Sequence, residues 1–165
     1  MSTFTSLFLK EIRRRLFDEG IRRASRCLNE LDDQQIWQRP NDNSNSVGNL
    51  ILHLNGNVRQ WVLSGLAKQV DIRQRQSEFD ERGPIPKETL IDILQQLERD
   101  IAPVLDRLTE EDLVSMHIAQ GFEESGIGIL IHVVEHFSYH VGQMVWAVKA
   151  WKDMDMGFYA GVDLG

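Results

Sequence analysis

The segment from Ile127 to Trp151 constrains the chain more than any other, because it holds three of the five histidines, His132, His136 and His140, in the most apolar stretch. Ile127, Leu130, Ile131, Val134, Ser138, Val141, Val145 and Val148 recur at three- and four-residue steps, the period of a helix with a buried face. At about 100° per residue, the histidines fall on a second stripe with Ile129, Gln143 and Ala147. Glu135, Tyr139, Lys149 and Asp153 take the sector left for water. A helix apolar on two sides has more to bury than one core absorbs, so its second side faces protein as well.

Imidazoles at i and i+4 stand about 5–6 Å apart at Cβ, a separation at which two can share one metal ion. The competing reading makes each a hydrogen-bonded core histidine. Three on one stripe favour the shared ligand, because imidazoles that merely pack side by side repel when protonated and lack enough partners.

The remaining composition sets the class. A chain of 165 residues is expected to form one domain, 1–165, with a core that needs no staples. A net charge of −7 argues against a nucleic-acid protein held by phosphates. Cys27 is the one cysteine, so there is neither an internal disulfide nor a CxxC metal site, which suits a reducing compartment. The N-terminus lacks the charged start and apolar run of a signal peptide, and no stretch of about 18 apolar residues occurs. The expectation is a cytoplasmic protein that binds neither membrane nor nucleic acid.

Four helical rhythms follow one another. Ser2 to Leu31 carries Phe4, Phe8, Ile12, Leu16, Phe17, Ile21, Ala24 and Leu28, with Gly20 predicting a local bend. Arg13-Arg14-Arg15 and Arg22-Arg23 are interleaved with acids and read as a solvated face. Asp32 to Asn45 reads as a loop, and Ser46 as the N-cap of a second helix. That helix bears Leu50, Leu54, Val58 and Trp61, with Asn49, His53 and Asn57 beside them. The polar run Lys68 to Gly83 is long for joining antiparallel neighbours and predicts a crossover between helices of the same direction.

Pro86 then suits the first turn of a third helix with Leu90, Leu94, Leu97, Ile101, Leu105 and Leu108, kinked at Pro103. Thr109-Glu-Glu-Asp112 has the form of a capping box, with Leu108 and Leu113 as its staple. His117 falls in an exposed loop, Ser115 to Glu124; Ser125 caps the histidine helix; the tail from Lys152 shows no period. No strand pattern competes. The fold class is all-α, a four-helix bundle with its long crossover between helices 2 and 3, where His53 and the fourth-helix stripe meet in the core.

Asn49-Leu-Ile-Leu-His53-Leu, with Trp61 further on, and His136-Phe-Ser-Tyr-His140-Val-Gly-Gln143 resemble the DinB/YfiT-like metal-binding four-helix bundles. The likeness covers nearly the whole chain, including Arg82-Gly-Pro-Ile-Pro86 before the third helix. It implies up-down-down-up topology, usually a homodimer, and one divalent ion, commonly zinc or nickel, on His53, His136 and His140. Some relatives transfer low-molecular-weight thiols such as bacillithiol, or use mycothiol in maleylpyruvate isomerisation. Three neutral imidazoles leave such an ion doubly charged with a position open, the arrangement of a catalytic site. A small thiol would bind there as thiolate.

Asn49, Asn57, Gln143 and His132 are candidates for an outer shell or a substrate pocket; His132 also reads as an acid or base, or as a packed histidine. His132-Val-Val-Glu135-His136 matches the inverzincin protease motif, but no glutamate follows Glu135, which lies about 100° around the helix from His136. The expected function is metal-dependent transfer of a small thiol to an electrophilic small molecule. Metal-assisted hydrolysis is one alternative. The other is a non-catalytic stress-response or dimerisation module with a structural metal or none.

Overall fold

The long apolar periodicities all become helices, two of them with a π-helical segment. The computed structural model describes residues 2–163 and 165; Met1 and Leu164, which complete the expected domain, lie outside the described residues. Helix α1 is α-helical over Thr3–Arg13 and Arg22–Glu30 and takes the wider π-helical turn over Arg14–Ile21 between them. Ser2 caps it by accepting from the Thr5 amide. The expected bend at Gly20 is thus a π segment, and a Cβ there would lie 2.9 Å from Cδ1 of Phe137 on the last helix. The missing side chain lets the two helices approach.

A short helix α2, Asp33–Trp37, stands where a loop is expected. Asp32 accepts from the Gln35 amide at 2.8 Å and Gln35 Oε1 accepts from the Asp32 amide at 3.1 Å, a reciprocal cap that nucleates it. Helix α3 is α-helical over Val47–Val58 and π-helical over Arg59–Leu66, opened by Ser46 as predicted. The polar crossover contains α4, Arg75–Asp80. Helix α5, Lys87–Arg107, takes Pro86 as its N-cap, one position before the expected first turn, and runs on through Pro103.

Helix α6, Glu110–Val114, starts at the Thr109/Asp112 capping box. The structure is mostly helical, as the all-α reading expects, but a hairpin stands where a loop from Ser115 to Glu124 and no strand are expected: β1, Met116–Ala119, pairs antiparallel with β2, Phe122–Ser125. Gln120 and Gly121, at φ 54° and 82°, supply the two left-handed residues of a tight hairpin turn. His117 is accordingly buried rather than in an exposed loop. Its Nε2–H donates to the Asp112 carbonyl at 2.8 Å and its Nδ1 accepts from Lys68 Nζ at 2.9 Å. Helix α7, Gly126–Lys152, is capped by Ser125 and ends at Asp153 in the left-handed region; among its described residues the tail forms no helix or strand.

The core joins α1, α3, α5 and α7 through Leu16, Leu28, Leu54, Leu94, Ile101 and Phe137. On α7 the buried face is Ile129, Leu130, Val133, Phe137, Val141, Met144 and Val148, while Ile131 is 50% exposed and Ser138 faces water. The core stripe is therefore rotated toward the histidines relative to the predicted one, because the large Phe137 ring sets its centre. That rotation brings His140 to the edge of the core. Among the described residues no helix is long and apolar enough to cross a membrane.

The arginines of α1 are engaged locally. Arg14 pairs with Glu11 and Glu19, Arg22 with Asp18, and Arg23 and Arg26 lie over the Phe158 ring of the tail. Cys27 is fully buried, and burial pushes its thiol up to about 12. In the native protein Cys27 is expected to react with a thiol-specific disulfide reagent at under about 1% of its rate in denaturant. Rapid labelling without denaturant would show that this face of the core opens.

Candidate metal centre

His53 comes from the first half of α3, on the turn after the Ser46/Asn49 cap, and is 5% exposed. His136 and His140 stand one turn apart on α7. Their ring nitrogens converge: His136 Nε2 lies 3.2 Å from His53 Nε2 and 3.1 Å from His140 Nε2. Among the described residues these three form the group able to hold a metal ion, with ligand atoms all within 4.8 Å of one another. Two nitrogens at the usual distance from a tetrahedral zinc are roughly 3.3 Å apart, which the observed contacts approach.

Each outer nitrogen decides what the inner one offers. His53 Nδ1 lies 2.9 Å from Glu78 Oε2 and 3.1 Å from Arg73 Nη2; Nη2 gives its hydrogen to Glu78 at the shorter 2.8 Å, and an ionised carboxylate only accepts, so Nδ1 carries the proton and Nε2 presents its lone pair. Burial raises the Glu78 pKa, but hydrogen bonds from Arg73 and His53 outweigh it and leave the carboxyl below its ordinary value. Arg73 grips the same carboxylate through Nε at 2.7 Å and Nη2 at 2.8 Å. His140 Nδ1 lies 2.8 Å from Gln143 Oε1 and donates to it, so its Nε2 lone pair faces inward as well.

Two lone pairs aimed at a third imidazole nitrogen repel unless a cation or proton lies among them, and one proton bridges only one pair at good geometry. Burial, then the neighbouring imidazoles His140, His53 and His132, pushes His136 down to about 3. Burial lowers His140 too, against the Gln143 bond, and lowers His132. His136 and His140 are thus neutral at physiological pH, as nitrogen ligands must be. The donor set fits a divalent ion.

The other predicted residues take distinct places. Gln143 holds His140. Asn49 is fully buried and spends its amide on structure: its Oδ1 accepts from Ser46 and Arg39, and its Nδ2 donates to the Glu78 and Glu81 carbonyls at 2.8 and 2.9 Å. It docks the segment that delivers Glu78. His132 stacks on Trp61 with ring centroids 3.8 Å apart, outside the triad, and its buried Nε2 has no partner. Asn57 is buried with an unpartnered Oδ1.

Glu78 and Arg73 are absent from the sequence reading, since they sit in an aperiodic charged run. One readable sign exists: Gly56, inside an otherwise regular helical pattern, where a glycine implies close approach. A Cβ there would fall on Glu78 Oε1 and within 2.9 Å of Arg73 Nε. Gly56→Ala is expected to displace the carboxylate and weaken zinc binding about 10–100-fold, read by competition with a chromophoric chelator. Unchanged affinity would mean that Glu78 does not govern His53.

Aromatic rings wall the cluster: Phe79 lies 4.8 Å from His53 and Tyr139 5.0 Å from His140, centroid to centroid. A cavity of about 320 Å³, bordered by Pro40, Asn43, Trp146 and Trp151, reaches Gln143. A larger one, about 480 Å³, lies against Arg73 and Glu78; neither cavity is lined by any of the three histidines.

Similarity to solved structures supports a DinB-like fold. A DinB-like protein from Bacillus cereus ATCC 10987 superposes with TM-score 0.65 at 18% identity, covering 87% of this chain and 89% of that one. A conserved protein from Enterococcus faecalis gives TM-score 0.69 at 16% identity, covering 93% and 99%. At these identities the likeness is one of fold alone. No curated protein matches the chain. The family described as "Protein of unknown function (DUF1572)" matches residues 3–159, nearly the full length, and the chain belongs to that family.

Proposed function

We propose that this protein binds one divalent ion, zinc or nickel, on His53, His136 and His140 and transfers a low-molecular-weight thiol to an electrophilic small molecule. The observation that carries the reading is the convergence of three imidazole Nε2 atoms, two of them fixed as lone-pair donors by Glu78 and Gln143. An ion held there would lower the pKa of a bound thiol and keep it as thiolate. In the transfer the sulfur forms a new bond to the electrophilic carbon, the leaving group departs with its electron pair, and the thiol proton passes to solvent.

The chain's own residues supply position and surroundings. Glu78 and Gln143 hold protons on the outer nitrogens of His53 and His140, so both rings keep one orientation. Phe79 packs against His53, and the cavity that reaches Gln143 offers room for a small molecule beside the residue that orients His140. The reading includes a four-helix bundle of up-down-down-up topology, a homodimer, and a cytoplasmic setting; the DinB-like neighbours support the first.

The test uses the untagged protein loaded with zinc or nickel, a small thiol and an aryl-halide electrophile. Thioether is expected to form with loaded protein and not with chelator-treated protein. No adduct at full occupancy, across several thiols and electrophiles, would sink the transfer reading; turnover of an ester without added thiol would replace it with hydrolysis.

A further inference from the structure

Two of the three proposed ligands have a visible partner for their outer nitrogen, and the third has none. His53 uses Glu78 and His140 uses Gln143, but the buried Nδ1 of His136 meets no hydrogen-bond partner. Among the described residues two other buried side-chain atoms share that condition, Asn57 Oδ1 and His132 Nε2. Buried polar atoms without partners are few in a folded protein and call for an explanation.

All three belong to one layer between α3 and α7. His53 meets His136 and His140, while Trp61, two turns later on α3, stacks on His132, earlier on α7. The two helices therefore run in opposite directions, and Asn57, one turn from His53 and one from Trp61, stands opposite the turn His132–His136. It is 3% exposed. Side-chain hydrogen-bonding capacity also balances. An amide oxygen has two lone pairs, a histidine bound to metal through Nε2 must carry its proton on Nδ1, and His132 Nε2 can carry one as well. One acceptor thus serves two donors.

Resting on the metal reading above, we infer that Asn57 is the positioning residue for His136: its Oδ1 accepts from one enclosed water that in turn takes the His136 Nδ1–H and the His132 Nε2–H. Glu78, Gln143 and Asn57 then form a complete outer set, one acceptor for each ligand. A water shared by these atoms would find three polar partners, the usual number for an enclosed one. The set differs in charge, with one carboxylate, on His53, and two amides.

The experiment compares zinc affinity, by chelator competition, in the wild-type protein, Asn57→Leu and Asn57→Asp, and follows the His136 Nδ1–H by NMR in the zinc-loaded wild type. Asn57→Leu keeps the volume and removes the acceptor, and is expected to bind zinc about 10–100-fold more weakly. Asn57→Asp restores an acceptor and is expected to bind within about threefold of wild type or more tightly. The His136 Nδ1–H should give a resolved signal that exchanges slowly with water. Equal affinity of wild type and Asn57→Leu, or a His136 proton that exchanges as an open one does, overturns this inference and leaves the metal site standing. Should the leucine variant not fold, the aspartate variant and the wild-type exchange rate decide: weakened binding by aspartate or fast exchange overturns it. A wild-type protein that binds no zinc overturns the metal reading and this inference together.

Discussion

Alanine at His53, His136 or His140 is expected to take bound zinc from about one ion per chain to almost none, while His132→Ala keeps it. Removing one imidazole leaves two nitrogens whose lone pairs still converge, and two neutral ligands hold a divalent ion far more weakly than three. His132 behaves differently because its ring is committed to Trp61 and lies outside the triad. Elemental analysis of the four variants, purified without an affinity tag, reads the result directly. Zinc retained by any of the first three variants would reject the three-histidine site, and zinc lost from His132→Ala would bring that ring into it.

Acid should release the ion by unfolding the protein rather than by titrating a folded site. His136 is held down to about 3 in the fold, whereas an unfolded histidine titrates near about 6.5. Between those values the unfolded chain binds a proton that the folded chain does not, so this group's contribution to stability is full above about pH 6.5 and is lost as pH falls toward 3. His140 and His132, both lowered by burial, act with the same sign. Zinc release and loss of helical circular dichroism are therefore expected at the same pH. Release near pH 6 with the helices intact would show that the imidazoles protonate freely in the native protein.

How much of this was legible depended on whether a feature repeats. The long helices announce themselves because Leu50, Leu54 and Val58, or Leu90, Leu94 and Leu97, keep one period over several turns. The caps at Ser46, Thr109 and Ser125 were equally readable, since each needs only a hydroxyl at the start of a run. The hairpin was not, because four-residue strands hardly show a period of two and Gly121 is its one turn marker. At the candidate site the three histidines were visible through four-residue spacing and the family resemblance. Their partners divide by location: Gln143 lies on the same helix as His140 and could be read, whereas Glu78 and Arg73 arrive from the crossover by tertiary docking. Asn49 was visible as a candidate for an outer shell or a substrate pocket, and its amide is engaged with the backbone behind Glu78. Its amide secures the backbone of the crossover that carries Glu78, and nothing in local spacing distinguishes that task from binding a ligand.

Glu78→Ala is expected to cost about 3–5 kcal/mol of stability in the metal-free protein, the toll of leaving a buried charge without its partner. Arg73 is the group left behind: its side chain is 4% exposed, and Glu78 accepts from two of its nitrogens. Its remaining side-chain contacts, Nη1 to Gln60 Oε1 at 2.8 Å and Nη2 to His53 Nδ1 at 3.1 Å, bring no compensating charge. His53 also loses the acceptor that fixes its proton on Nδ1, so zinc affinity should fall about 10–100-fold in the same variant. The two effects separate in the double replacement Arg73→Ala/Glu78→Ala. With neither charge buried, stability should recover by at least about 1 kcal/mol relative to Glu78→Ala, because partners in one network are not additive. Zinc affinity should stay low, because His53 still lacks its acceptor. Urea unfolding in the presence of a chelator measures the first quantity and zinc competition the second. A Glu78→Ala variant that loses under about 1 kcal/mol would mean that water reaches Arg73 and that the pair is not the buried hinge between the crossover and the site. A double variant that regains zinc would mean that the Arg73 charge, rather than the lost acceptor, is what weakens His53.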